Sequence, residues 1–269
     1  MSARDTKIEI AVDAERIAGT LITPATTLPG VLFVHGWGGN QQQYLARARE
    51  IAALGCISLT FDLRGHARTE PQQETVSRED NLQDVLAAYD ELVGHPGVDA
   101  SAIAVVGSSY GGYLATILTT LRPVRWLALR VPALYKDANW ALPKKQLHKD
   151  ADLHAYRRRH VKPQDNRALG ACAAFKGDVL IVESEKDETV PHRTIENFVE
   201  ACLRARSLTY RVIEGADHGL SETSAQRAYS ELLVNWLTEM VFGARAAGTT
   251  AQGSARIGAS TPEKAPHPG

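Results

Sequence analysis

Residues 103–118 read Ile103-Ala104-Val105-Val106-Gly107-Ser108-Ser109-Tyr110-Gly111-Gly112-Tyr113-Leu114-Ala115-Thr116-Ile117-Leu118. An unbroken apolar run enters a glycine- and serine-rich turn, and a helix-forming run leaves it. The turn itself, Gly107-Ser108-Ser109-Tyr110-Gly111, fits G-x-S-x-G with Ser109 at its centre. Strand, tight turn and helix are the context in which a nucleophile elbow lifts a serine hydroxyl off the end of a sheet. Glycines at 107 and 111 let the chain turn where a side chain would clash. Ser108 is the competing serine, but the same pattern centred on it would need glycine at 106, which is Val106.

A serine hydroxyl becomes a useful nucleophile when a base takes its proton and a carboxylate orients that base. On an elbow of this kind the chain order is serine, acid, histidine. Downstream, Asp178-Val179-Leu180-Ile181-Val182 reads as a buried strand running into Glu183-Ser184-Glu185-Lys186-Asp187-Glu188. Asp187, Glu183, Glu185 and Glu188 are the acids on offer there. The next strand pattern, Leu208 to Ile213, is followed by Glu214-Gly215-Ala216-Asp217-His218-Gly219. His218 therefore has the position and order of the base, and His192 is its rival, close to the acid loop. Upstream, the buried run Val31-Leu32-Phe33-Val34 leads into His35-Gly36-Trp37-Gly38-Gly39. A loop at that place carries one backbone N–H toward a developing oxyanion, and the residue after the nucleophile, Tyr110, carries the other. Trp37 is the expected first donor and Gly38 the alternative, with His35 read as a loop-stabilising residue.

Strand patterns at about 30–34, 56–62, 102–107, 126–130, 178–183 and 208–214 alternate with helical patterns at 41–54, 78–94, 110–121, 192–206 and 221–242. A hairpin, 6–12 with 15–22, precedes them. Such alternation predicts an α/β chain with a mainly parallel sheet covered by helices on both faces. Ligands then bind beyond the carboxyl ends of the strands, where Ser109, Asp187 and His218 all fall. The connection 131–177 is too long for a bare loop and is expected to fold as a small helical cap whose aromatic residues Tyr135 and Trp140 touch substrate. From Arg130 to Arg167 it holds ten Lys or Arg against four Asp or Glu, densest at Arg157-Arg158-Arg159-His160. Those arginines read either as a solvated face or as a cationic rim for an anionic substrate.

These motifs resemble the α/β-hydrolase superfamily over about residues 5–243. The resemblance rests on the 35–39 loop, the elbow, Asp187 ahead of Val190-Pro191, and Asp217-His218-Gly219. A fifth feature is Asp62-Leu63-Arg64-Gly65-His66-Ala67-Arg68-Thr69, where Ala67 and Thr69 depart from the family's usual Gly and Ser. The resemblance selects Asp187 among the acids and implies a serine hydrolase acting on modest carboxylic esters without cofactor or metal. The wording Ser109-Tyr110-Gly111-Gly112-Tyr113 is similar to hydrolase domains of prolyl-oligopeptidase type. Peptide or amide hydrolysis is thus the second reading; acyl transfer, perhydrolysis and binding without turnover are further alternatives. Ser109 stands where dienelactone hydrolases proper carry cysteine.

The 269 residues are 44% hydrophobic and 23% charged, with a formal net charge of −1. This is the composition of a globular chain with no general drive toward nucleic acid or anionic membrane. Cys56, Cys172 and Cys202 form no C-x-x-C pattern, so neither a disulfide framework nor a zinc site is expected. No secretory signal or 18-residue apolar run is apparent, which makes the cytoplasm the default expectation. The hydrolase domain is expected over 1–243. The stretch 244–269, rich in Ala, Gly, Thr, Ser and Pro, reads as a disordered tail.

Overall fold

The computed structural model describes residues 3–12, 15–24, 27–147 and 151–257. Two units compose the chain, Thr27–Leu237 and a smaller one formed by Met1–Thr26 with Thr238–Gly269. In the smaller unit, β1 (Ala3–Val12) and β2 (Glu15–Pro24) pair antiparallel from Ala3 opposite Pro24 to Val12 opposite Glu15, as the hairpin pattern predicts.

The larger unit alternates strands and helices in chain order. They are β3 (Leu28–Val34), α1 (Leu45–Ala53), β4 (Ile57–Thr60), α2 (Arg78–Gly94), β5 (Val98–Ser108), α3 (Tyr110–Leu118) and β6 (Trp126–Arg130), then α4 (Lys144–Leu147), α5 (Ala151–Arg157), α6 (Arg167–Ala174), β7 (Asp178–Ser184), α7 (His192–Ala201), β8 (Ser207–Ile213) and the first part of α8 (Thr223–Ile257). The six strands form one sheet in the order β4-β3-β5-β6-β7-β8, parallel throughout. Central strands of a parallel sheet are covered on both faces, and therefore read as continuous apolar runs. Every residue of β6 and β7 is buried, as is β5 from Ala102 onward, whereas the edge strand β8 is largely exposed.

The sheet order contains a reversal. The chain passes from β3 outward to β4 and then returns to the other side of β3 as β5. Loops leaving β3 and β5 consequently diverge, and the crevice between them at the carboxyl end is where open α/β sheets bind ligands. The register places Val34 beside Gly107, so the 35–39 loop and the Ser109 turn emerge side by side at that reversal.

The helices also start where their sequence says. Ser77 caps α2 with a reciprocal capping box to Asp80, which satisfies donors that a bare helix end would leave open. Helix α8 runs beyond the expected end at 242 to Ile257. The five alanines between 244 and 257 are the strongest helix formers, and the remainder of the expected tail, 258–269, lies outside the described residues.

The segment 131–177 holds the helices α4, α5 and α6, but its apolar residues are core. Leu134, Tyr135, Leu153, Leu169 and Phe175 join the same cluster as Leu114, Leu127 and Ile181. Each such aliphatic side chain contributes roughly 1.5–3 kcal/mol on burial.

The tightest constraint in the sheet is clearance beside α3. A Cβ added to Gly111 would lie 2.2 Å from the Val34 carbonyl oxygen and 2.5 Å from that of His35, both backbone atoms. Gly94, at the end of α2, has nothing within 4 Å of the same added atom. Gly111→Ala should therefore lower stability by about 3 kcal/mol, at the upper end of overpacking costs, while Gly94→Ala stays within about 0.5 kcal/mol. Urea unfolding of the two variants measures this, and equal midpoints would refute the clearance argument.

Candidate active site

Ser109 sits at φ 51°, ψ −117°, a region that a non-glycine residue enters only under constraint. Its peptide is fixed on both sides: the Ser109 N–H donates to the Arg130 carbonyl at 2.9 Å, and the Ser109 carbonyl accepts from Tyr113 at 3.1 Å and Ala133 at 3.0 Å. The approach of α3 to β5 is as close as glycines allow, since a Cβ on Gly107 would meet the Gly111 carbonyl oxygen at 2.6 Å. Gly36 also comes near the serine, its imagined Cβ lying 3.3 Å from Ser109 Cβ.

His218 Nδ1 lies 2.6 Å from Asp187 Oδ2. The other carboxylate oxygen of Asp187 accepts the N–H groups of Thr189 and Val190, both at 2.8 Å. Backbone bonds tie the acid loop to the histidine loop: Glu185 N–H donates to the Ile213 carbonyl and Lys186 N–H to that of Ala216. His218 and Ser109 line one cavity of about 330 Å³. Among the described residues no hydrogen bond joins the Ser109 hydroxyl to His218, and in free enzymes that contact is commonly loose until substrate binds.

The rival residues have other partners. Glu183 accepts from His192 Nδ1 at 2.8 Å and from the Tyr210 hydroxyl, and that carboxylate hydrogen bond holds the His192 pKa above its ordinary value. Glu185 accepts the Gly215 N–H at 2.7 Å, and Glu188 is exposed.

The 35–39 loop is built around two buried histidines. His35 bonds the Gly36 carbonyl through Nδ1 at 2.8 Å and accepts the Leu63 N–H at Nε2, as a loop-stabilising residue would. His66 accepts the Gly38 N–H at 3.0 Å. Burial pushes both imidazoles below the ordinary histidine value. The Trp37 ring stands edge-on to His66 and Tyr110. Behind it the fully buried Lys144 ammonium lies 4.6 Å from the Trp37 ring centroid and 4.8 Å from those of Tyr110 and Tyr135. Burial holds the Lys144 pKa down. Burial alone would raise the Tyr135 phenol, but the Lys144 and Arg157 cations outweigh it and lower its pKa.

Tyr135 and Trp140, expected to touch substrate, do not line the cavity. Tyr135 is buried against Tyr110 and Tyr113, and Trp140 stacks on Tyr113 with Arg78 over its ring. Their rings are taken up by buried cations that need them. The arginines 157–159, read either as a solvated face or as a cationic rim, do not line the cavity. Arg157 is buried and donates to the carbonyls of Leu134 and Thr189, while Arg158 and Arg159 are exposed and off the cavity. Sequence reasoning missed the two arginines that do line it, Arg47 and Arg130. Arg47 carries no local signal, whereas Arg130 ends the apolar run Trp126-Leu127-Ala128-Leu129 at the carboxyl end of a predicted strand, a position that could have marked it.

Against known proteins, the profile described as the prolyl oligopeptidase family matches residues 42–243. The chain belongs to that family. A 33% identical stretch of 104 residues relates it to the α/β-hydrolase domain-containing protein WAV2 of Arabidopsis thaliana, over 38% of this chain and 32% of that one. Thiohydrolase aneE of Aspergillus aculeatus is 30% identical over 109 residues, 39% of this chain and 34% of that protein. The matched stretches thus span about a third of these relatives. Among solved structures, a dienelactone hydrolase from Anabaena variabilis has a TM-score of 0.56 at 18% identity, covering 88% of this chain and 98% of that one. Carboxyl esterase 2 of Tuber melanosporum has a TM-score of 0.57 at 20% identity, covering 90% and 88%. The Pyrococcus horikoshii acylaminoacyl peptidase reaches 0.60 at 15% identity, over 90% of this chain and 42% of that one. The fold is that of the α/β hydrolases. Among the described residues no helix is long and apolar enough to cross a membrane, and no group of three His, Cys, Asp or Glu could hold a metal ion.

The buried histidines give the loop a pH dependence. Their folded pKa values lie below the unfolded value of 6.5, so on acidification the unfolded chain takes up protons first. Stability is then full above pH 6.5 and is lost as pH falls toward the lowered folded values. His66→Gln keeps an acceptor for the Gly38 N–H but cannot titrate. Thermal melts from pH 7.5 to 5 should show a shallower acid decline in this variant than in the unmodified protein, and parallel curves would contradict the assignment.

Proposed function

We propose that the chain is a serine hydrolase that cleaves small to medium carboxylic esters through an acyl-enzyme. The observation that carries this reading is the His218–Asp187 hydrogen bond at 2.6 Å, with His218 and the strained Ser109 on the wall of one cavity.

Ser109 Oγ attacks the carbonyl carbon while His218 Nε2 takes its proton. Asp187 holds the imidazole with Nδ1 protonated and stabilises the imidazolium. Negative charge gathers on the former carbonyl oxygen, where the N–H groups of Trp37 and Tyr110 receive it. Tyr110 is the first residue of α3, so its amide stands at the positive end of that helix. The Gly38 N–H is engaged by His66, which favours Trp37 over Gly38 as the first donor. Loss of one such donor costs on the order of 100–1,000-fold in turnover. The tetrahedral species collapses as His218 protonates the leaving alcohol, and water then repeats the sequence in reverse roles to release the acid. A cavity of about 330 Å³ is at the small end of ligand sites, in keeping with a modest substrate.

Amide hydrolysis is the second reading, favoured by the match to the prolyl oligopeptidase family. A chromogenic ester series run beside aminoacyl amides separates the two.

Ser109→Ala should lower kcat/KM on the best ester by on the order of 10⁴-fold or more, and adding His218→Ala should cost little further, because the pair acts as a unit. Asp187→Asn should lower kcat by roughly 10³–10⁴-fold with the fold intact. Near-normal turnover in Asp187→Asn, together with an inactive Glu183→Gln, would move the acid to Glu183 and refute this assignment.

A further inference from the structure

The wall of the Ser109 cavity carries an unbalanced charge. Apart from His218, its ionisable lining side chains are Arg47, Arg130 and the two phenols Tyr44 and Tyr229, with no Asp or Glu among them. Other arginines of this unit meet carboxylates: Arg64 with Asp84, Arg122 with Asp90, Arg206 with Asp178. Neither Arg47 nor Arg130 has such a partner among the described residues. Arg130 donates to the His218 carbonyl at 2.9 Å and makes long contacts to Ser108 Oγ and Ser184 Oγ at 3.4 and 3.5 Å. Arg47 donates to Ser230 Oγ and the Gln43 carbonyl, both at 2.9 Å. Every one of these acceptors is neutral.

Arg130 is only 8% exposed. A cation removed from water without a counter-charge is costly, and a guanidinium offers five donors of which neutral acceptors here use few at good distance. Arg78 and Arg157 are buried too, but they are bonded to carbonyls away from the cavity. Arg130 instead opens on it, and so does Arg47.

The two guanidinium groups also lie against one ring. Their central carbons lie 4.9 Å (Arg47) and 5.7 Å (Arg130) from the ring centroid of the same residue, Tyr229. Stacking on an aromatic face restrains an arginine while leaving its fork free for planar anions. Arg130 is further held by its own backbone. Its carbonyl accepts the Ser109 N–H, and the next residue, Val131, is locked at φ 39° with its N–H on the Val182 carbonyl. The backbone that carries this charge is therefore tied directly to that of the reacting serine.

We propose that this cavity selects short esters whose acyl or alcohol part bears a carboxylate, gripped by Arg130 and Arg47 while the ester carbonyl meets Ser109. The inference rests on the reading of Ser109 as an esterase nucleophile, deepens it by naming the substrate class, and moves anion recognition from the 157–159 surface to the cavity itself. Arg130 is also a positioning residue for His218 through the 2.9 Å bond to its carbonyl, so Arg47 provides the cleaner test.

The experiment measures binding without turnover. Ser109→Ala protein is titrated by calorimetry at pH 7 and low salt with monomethyl glutarate, which is anionic, and with dimethyl glutarate, its neutral counterpart. The half-ester should bind at least tenfold more tightly. Adding Arg47→Gln or Arg130→Gln should erase most of that preference, and raised salt should weaken it. Equal affinities, undetectable half-ester binding, or a preference that survives both arginine substitutions would overturn the proposal. Should Arg130→Gln disturb folding, Arg47→Gln on the half-exposed α1 decides alone. Hydrolysis of the two esters by protein with Ser109 intact is read separately. A carboxylate preference in binding with no turnover of either ester would refute the esterase reading and still support the anion site.

Discussion

The site depends on one steric constraint, the approach of α3 to the ends of β3 and β5. Gly107 and Gly111 leave room for contacts that any Cβ would block, Gly36 for one that a Cβ would only crowd, and in that space Ser109 takes a backbone conformation costing on the order of 1–3 kcal/mol. Hydrogen bonds to Arg130, Tyr113 and Ala133 offset the cost and prevent relaxation. Were the turn to relax, the hydroxyl would drop out of the crevice and the Tyr110 amide would rotate away with it. The parallel sheet supplies the crevice because its strand order reverses between β3 and β5, and the loops after β7 and β8 that carry Asp187 and His218 leave the same edge.

Electrostatics around this frame is arranged in two zones. Behind the 35–39 loop, Arg78, Lys144 and Arg157 are sealed among tyrosine and tryptophan rings and bonded to neutral oxygens. Lys144 packs against the Trp37 and Tyr110 rings, the residues whose backbone amides are the proposed oxyanion donors. On the cavity side, Arg130 and Arg47 supply charge that the protein leaves uncompensated. The first zone gives rigidity and the second gives selectivity. Their separation explains why a basic stretch in the sequence contributes so little charge to the cavity.

Much of the frame was legible in the sequence. Parallel central strands are apolar on both faces, which is why Val31–Val34, Ile103–Val106 and Asp178–Val182 stand out. Ser109, Asp187 and His218 lie on loops leaving three separate strands, β5, β7 and β8. Strand β5 begins at Val98, before the expected 102, because Val98 to Ser101 mixes polar with apolar residues and pairs with β3 only across a register shift at Pro29 and Gly30. Tyr135 and Trp140 lie off the cavity for a different reason. Aromatic residues on a long basic connection suit a cap and a core equally well, and periodicity does not say which cations they will cover. Lys144 and Arg47 were illegible because a sequence displays charge but not burial. Only three-dimensional neighbours distinguish a solvated arginine from one closing a cavity.

The central claim is that Ser109 is an activated nucleophile in a preformed site, and its most direct test is covalent. The protein is treated with a small alkyl fluorophosphonate, and the adduct is located by peptide mass spectrometry. The account expects one equivalent, on the peptide containing Ser109, with the reaction abolished by Ser109→Ala and strongly slowed by His218→Ala. An unreactive native protein, or an adduct on Ser108 or any other residue, would contradict it.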